Sequence, residues 1–327
     1  NPHEPRAPAS TTKILTALLA LEMGRLDDVA TVSRKAASTP GSSARLYTGQ
    51  KIRLIDLLHG LLLSSGNDAA VAVAEHIAGS ESAFVDLMNR RAAELGATNS
   101  RFQNPHGLDA PGHFSTAYDL ALLSRLALVY PVFGEIVRKR TYEYDQGAWS
   151  NTNQLLWRFE EVEGIKTGTT SQAGYCLVAA ASRDGMQLIS VVLGSDDRWA
   201  DSIRLLEYGF ENFRVVPLAE KGEVLARFPL PGGERPAVAV ASQPVHLLVR
   251  REELGHISTQ LNLSERLRAP IRRGEVVGTL DVYVGEERVR QVLLVSADEI
   301  RRRTPFHVLR DWLLSPFRRA RSAPAPP

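Results

Sequence analysis

The sequence predicts an α+β fold: an antiparallel sheet flanked by helices, followed by a small all-β domain and a C-terminal amphipathic helix. Three observations carry this. Apolar residues recur at helical spacing through most of the chain up to Leu128. From about Gly164 the period switches to that of strands. After Val215, short β-type runs alternate with Gly, Pro and charged turns such as Pro231-Gly232-Gly233.

Residues 1–9 are polar and Pro-rich and cannot form a helix interior. Pro8-Ala9-Ser10 opens a helical run in which Ile14, Leu15, Leu18, Leu19 and Met23 share a face, and Gly24 stops it. Further helices are expected over Leu54–Leu63, Asp68–Ile77, Ser82–Leu95 and Ser115–Leu128, two of them closed by Gly79 and Gly96. Tyr175–Ala181 and Gln187–Leu193 read as strands joined by a turn at Arg183-Asp184-Gly185, and Ser202–Phe213 as a helix. Strands follow at Val224–Phe228, Val238–Ala241, Val245–Val249, Val276–Val284 and Arg288–Val295. The domain expectation is therefore 1–213, 214–297 and a tail, 298–327. In that tail seven Arg face three acidic residues, and Phe306, Leu309, Leu313 and Phe317 fall on one helical side. Such a helix suits a membrane surface, and is also consistent with docking on its own domain.

Composition bounds the function. At 327 residues, 44% hydrophobic and 23% charged, the chain can bury full cores. A net charge of +2 gives no global signal for nucleic acid. The single cysteine, Cys176, excludes an internal disulfide and sits in an apolar run, as a buried structural thiol does. The chain begins at Asn1 without Met, which fits a removed leader or a fragment, and no apolar run is long enough to cross a membrane as a helix. Of 39 Lys and Arg, only six are Lys. Lys can lose its proton in a protein and Arg cannot, so the few lysines stand out.

Two of them belong to motifs. Ser10-Thr11-Thr12-Lys13 places a hydroxyl and an amine one helical turn apart on one face. A serine becomes a nucleophile when a neighbouring base takes its proton. Lys13 can be that base only if its pKa falls by about three units towards neutrality. Ser65-Gly66-Asn67 lies at a corner between two helices, where a hydroxyl and an amide can relay a proton and hold a substrate amide. Lys166-Thr167-Gly168-Thr169 heads a strand, with Gly168 allowing close backbone approach and Lys166 and Thr167 offering charge and a hydroxyl to an anion. Taken singly, each also reads as local structure: a Ser near a helix start with a surface Lys, a helix cap, a turn before a strand. Their order and separations, about 55 and 100 residues, match the motif set of penicillin-binding proteins and class A β-lactamases.

The sequence resembles the low-molecular-mass penicillin-binding proteins, serine-type D-Ala-D-Ala carboxypeptidases, almost end to end. PASTTKILTALLAL, LLSSGNDAAVAVAEHIAGS, NTNQLLW and GIKTGTTSQAGYCLVAAA carry the likeness. The resemblance implies a β-lactamase/transpeptidase-like domain, a β-rich accessory domain and a membrane-surface anchor. It implies Ser10 as the acylated nucleophile, Lys13 as its base, and Ser65 and Asn67 as proton relay and peptide holder. Lys166 would tune the charge, while Thr167, Gly168, Thr169 and Arg198 line the subsite for the substrate carboxylate. The oxyanion hole would be the amides of Ser10 and Thr169. Implied partners are peptidoglycan stem peptides and β-lactam inhibitors, with no metal or other cofactor, in an extracytoplasmic, membrane-peripheral setting. His106 and His113 read as structural loop residues.

In that family two strands normally precede the nucleophile helix, whereas here nine residues precede Ser10. The expectation is a sheet lacking those strands, with an open edge. Two alternatives remain at this level. A β-lactamase would need a carboxylate for the deacylating water in an E-x-x-L-N pattern, which the sequence lacks. A non-catalytic peptidoglycan-binding protein would keep the motifs without turnover.

Overall fold

The protein is described by a computed structural model covering residues 1–144 and 147–304. The chain divides into two units, Asn1–Glu211 and Asn212–Pro327.

The first unit is built around the helix Lys13–Met23. Ile14, Leu15, Ala17, Leu18, Leu19 and Ala20 are all buried, so this helix is enclosed on every side rather than amphipathic. Such a helix can carry a charge only where the protein supplies partners. Glu22 near its end is gripped by both arms of Arg91, at 2.8 and 2.9 Å. Helices Leu54–Leu62, Asn67–Ala78 and Ala117–Leu128 pack around it and share its core.

Strands Val162–Thr170, Gly174–Arg183 and Met186–Ser195 form an antiparallel sheet in that order. The turn expected at Arg183-Asp184-Gly185 is present, with Asp184 and Gly185 both at positive φ, 51° and 76°, as a tight two-residue hairpin requires. No strand among the described residues pairs with the outer edge of Met186–Ser195.

Several elements differ from the sequence reading. The segment Lys166–Thr169 lies inside its own strand, Val162–Thr170, rather than at the entrance to the next one. Gly164 and Gly168 interrupt the alternation that marks a strand. The helix expected from Ser202 begins at Arg198, which places that guanidinium at the first helical residue. Helix Pro131–Val137 and the hairpin Thr141–Tyr144/Gly147–Ser150 carried no clear periodicity because they are short.

The second unit has its own core. One antiparallel sheet is ordered Ile257–Leu263, Val276–Val284, Glu287–Ser296, Ala237–Ala241, Val224–Phe228, and a separate pair joins Val245–Arg250 to Phe213–Ala219. Ala237, Ala239, Val277, Val282 and Leu294 fill its centre. Ile300 is buried with them and pairs with Ile271, so the chain stays within this unit beyond Ser296. The amphipathic helix expected over Phe306–Phe317 lies outside the described residues. Among the described residues no single helix is long and apolar enough to cross a membrane.

Candidate active site

Ser10 sits in a 3-10 turn, Ala9–Thr12, that runs into the central helix. Thr11 holds the turn, its amide and hydroxyl both donating to Pro8 O, at 3.2 and 2.6 Å. Ala9 adopts φ +47°, a conformation that costs a residue with a Cβ about 1–3 kcal/mol. Ser65, at the other side of the site, is left-handed too, with φ +62°. Two of the four non-glycine residues at positive φ among the described residues thus flank Ser10 and Asn67.

Lys13 is completely buried, and its Nζ lies 3.0 Å from Ser10 Oγ, 2.7 Å from Asn67 Oδ1 and 2.7 Å from His106 O. Burial pushes its pKa well below the ordinary lysine value, the cation of Lys166 adds to that, and Asp68 opposes it. Asn67 Oδ1 and His106 O can only accept, so they take two of its hydrogens. The third position faces Ser10 Oγ, to which an ammonium donates and from which a neutral amine accepts.

The middle motif sits at the start of helix Asn67–Ala78. Gly66 N donates to Gly60 O at 3.0 Å, and Asn67 N donates to Ser42 O at 2.7 Å. Asn67 Nδ2 donates to Pro40 O at 2.7 Å, so both ends of this amide are engaged within the protein. Ser65 is buried, and its hydroxyl bonds directly to neither lysine.

The third motif lies against the nucleophile turn. A Cβ added to Gly168 would stand 3.0 Å from Ser10 N and 3.1 Å from Pro8 O, so a side chain there would push the nucleophile turn away by a few tenths of an ångström. Lys166 is buried, and its pKa is lowered to about 7 by burial and then by Arg198. Thr167 Oγ1 shares a hydrogen bond of 2.7 Å with Thr152 Oγ1. Arg198 donates to Gly168 O and Thr169 Oγ1, both at 2.9 Å, and lies over Trp199 and Tyr175. Its guanidinium is half-buried at the end of the strand that carries Thr167 and Thr169.

The three motifs and Arg198 thus come together. Of the parts that hold them, the sequence singled out only the loop residues His106 and His113, as structural residues. His113 Nδ1 accepts from Gln103 N at 3.0 Å, so its Nε2 carries the proton and donates to Thr12 Oγ1 at 2.9 Å. Burial lowers the pKa of His113 to about 4, keeping it neutral. Asp109 accepts from Thr170 Oγ1 and Gln172 N, tying the loop to the motif strand. Asp68 accepts from Ala44 N, Leu46 N, Ser43 Oγ and Ala69 N. A carboxylate directly after the middle motif, in the apolar run LLLSSGNDAAVAVA, was the one available signal. Glu161 and Glu163 point to the opposite end of the sheet, bonded to Arg183, Ser182 and Gln187.

Two buried lysines of lowered pKa leave a thermodynamic signature. Both bind protons less tightly folded than unfolded, so unfolding takes up protons and stability rises with pH. Each contributes up to about 1.4 kcal/mol per pH unit. The window opens near 7, where folded Lys166 titrates. It closes near pH ~10.4, where the unfolded lysines lose their protons, and above about 8.5 the thiol of Cys176, pushed up by burial, offsets part of the rise. The urea midpoint is expected to climb from about pH 7 to 8.5, and less steeply in Lys166→Met. A flat wild-type profile would show that the lysines keep their protons.

A serine paired with a proton-poor lysine, facing a second buried lysine across a glycine-edged strand, defines a serine acyl-enzyme hydrolase that uses amines where triad enzymes use histidine. The comparisons are specific. The family described as D-alanyl-D-alanine carboxypeptidase matches residues 1–197, and the penicillin-binding protein 5 C-terminal domain matches residues 213–302. The chain belongs to this D-alanyl-D-alanine carboxypeptidase family, peptidase S11. D-alanyl-D-alanine carboxypeptidase DacF of Bacillus subtilis is 36% identical over 86% of this chain and 76% of its own. DacC of Escherichia coli is 35% identical over 97% and 84%. The crystal structure of penicillin-binding protein 5 from Haemophilus influenzae superimposes with a TM-score of 0.77 at 30% identity, covering 92% of each chain.

Proposed function

We propose that this chain is a serine-type D-alanyl-D-alanine carboxypeptidase that removes the terminal D-Ala from peptidoglycan stem peptides through an acyl-enzyme on Ser10. The observation that carries the reading is the Lys13 amine, buried, held by two carbonyl-type acceptors and 3.0 Å from Ser10 Oγ.

In the proposed reaction Ser10 Oγ attacks the carbonyl carbon of the penultimate D-Ala while Lys13 Nζ takes its proton. The amides of Ser10 and Thr169 stabilise the developing oxyanion, each such donor being worth about 2.7–4 kcal/mol. The proton passes, directly or through Ser65, to the nitrogen of the departing D-Ala. Water then adds to the ester, Lys13 again accepts a proton, and Ser10 leaves protonated. Asn67 holds Lys13 and the peptide, and Lys166 keeps Lys13 proton-poor. Thr167, Thr169 and Arg198 bind the terminal carboxylate, for which a guanidinium offers a two-pronged grip. Side chains and water suffice for each step. β-Lactams acylate Ser10 and are released slowly, because the carboxylates at 161 and 163 are committed elsewhere. An extracytoplasmic site of action follows from the substrate, and attachment to the membrane surface through the part of the expected tail beyond residue 304 from its charge and apolar residues.

The test is release of D-Ala from diacetyl-Lys-D-Ala-D-Ala together with labelling by a fluorescent penicillin. D-Ala release and a stable label, both lost in Ser10→Ala, are expected. A label shed within seconds would mark a β-lactamase, and a folded protein that neither labels nor releases D-Ala would be a binding protein.

A further inference from the structure

Beside the middle motif lies a second concavity, of about 540 Å³, within the range of small-ligand sites. Its walls are the 43–47 segment and the hairpin Thr141–Tyr144/Gly147–Ser150. Ser64, the residue before the middle motif, lines it, and the 43–47 wall is tied to that motif through Asn67 N on Ser42 O at 2.7 Å and Ala44 N on Asp68 at 2.8 Å. Tyr144 and Trp149 stack with centroids 3.9 Å apart, forming one aromatic wall, and Trp149 Nε1 donates to Ala44 O at 3.0 Å. The exposed ring of Tyr47 also lines the cleft.

Arg45 lines it too, and three features set this residue apart. It is exposed, and its guanidinium has no ion-pair or hydrogen-bond partner among the described residues. Its backbone is left-handed, φ +60°, a conformation a residue with a long side chain rarely adopts. That conformation is imposed from both sides. Ala44 N and Leu46 N donate to the buried Asp68 carboxylate at 2.8 and 3.1 Å, and Arg45 N donates to Ser43 Oγ at 2.8 Å. Ser43 Oγ in turn donates to Asp68 at 2.6 Å. The buried carboxylate therefore holds a strained segment that presents a cation, unpaired among the described residues, beside an aromatic wall. Strain held this firmly at the edge of a cleft is the kind found at ligand clamps.

We infer that this cleft is a subsite for the acyl half of the peptide substrate, with Arg45 recognising a free side-chain carboxylate upstream of the D-Ala pair. The inference rests on the carboxypeptidase reading. A guanidinium favours a carboxylate over the neutral amide of the same shape through paired, charge-assisted hydrogen bonds. The aromatic wall covers the apolar part of the same residue. In a partly exposed site the preference for acid over amide is about tenfold.

The experiment compares acetylated peptides ending in D-Ala-D-Ala that carry Glu or Gln one, two or three residues before that pair. The ratio of kcat/KM for Glu against Gln is expected to reach about ten at one position in the wild type and to fall to about one in Arg45→Gln. The ratio cancels any general loss caused by the substitution. A wild-type ratio near one at every position, or a ratio that survives Arg45→Gln, would overturn the inference. If no peptide releases D-Ala, the carboxypeptidase reading falls instead. The cleft is still decided by calorimetric Kd ratios for the same peptides on Ser10→Ala and on Ser10→Ala/Arg45→Gln.

Discussion

Replacing Lys13 by Met lowers kcat/KM for D-Ala release by about 10²–10⁴-fold, the contribution of a well-placed general base, while the chain still folds. Met matches the lysine stem in length and needs no solvation in a site that is completely buried. Two acceptors, Asn67 Oδ1 and His106 O, lose their donor, which costs stability. Removing a group whose charged form is disfavoured by burial offsets part of that loss. The decisive readout is acylation by a fluorescent penicillin, followed in time beside circular dichroism of the same sample. A folded Lys13→Met that acylates within about tenfold of the wild type would remove Lys13 from the role of base. The pH dependence adds a second check. The amine works only when unprotonated, so wild-type kcat/KM falls on the acid side as Lys13 takes up its proton. That limb disappears with the amine.

The residues proposed to be catalytic stood out in the sequence because they lie close together along the chain. Ser10 and Lys13 are one turn apart, Ser65 and Asn67 two residues apart, and Lys166 to Thr169 contiguous. The long helices were legible too, since their apolar residues face one core or are surrounded by it. The bonds that hold the site are of another kind. Lys13 binds a backbone carbonyl 93 residues away, His113 binds Thr12 across 101, and Thr152 binds Thr167 across 15. A carbonyl leaves no mark in the sequence, and a buried histidine in a loop looks like any other. The strand Val162–Thr170 was hidden for a related reason. Gly168 lies against the Ser10 backbone, and with Gly164 it breaks the alternation by which a strand is recognised, although Val162, Ile165, Thr167, Thr169 and Thr170 are β-branched. Function at this point overrides local propensity.

Asp68→Ala is expected to lower the unfolding free energy by about 3–5 kcal/mol, because it strands Ala44 N, Leu46 N and the Ser43 hydroxyl around a segment that is left-handed at Arg45. The carboxylate also lies in the first turn of helix Asn67–Ala78 and accepts from Ala69 N, so the helix start loses its negative charge as well. The effect reaches the chemistry, since Asn67 N and Nδ2 are anchored on Ser42 O and Pro40 O in the segment leading into residues 43–46. Once that segment moves, Asn67 Oδ1 no longer fixes the Lys13 amine. Asp68→Asn separates charge from shape. It keeps the volume and part of the bonding, but one amide hydrogen must face a backbone N–H, so an intermediate loss of stability is expected. Its particular mark is in the pH profile. The negative charge of Asp68 raises the proton affinity of Lys13 against the stronger effect of burial. Neutralising it makes Lys13 easier to deprotonate, and the acid limb of kcat/KM moves to lower pH. Urea unfolding and the pH–rate profile of the two variants measure both effects. An Asp68→Asn profile superimposable on the wild type would confine this carboxylate to a structural role, and an Asp68→Ala protein of undiminished stability would deny it even that.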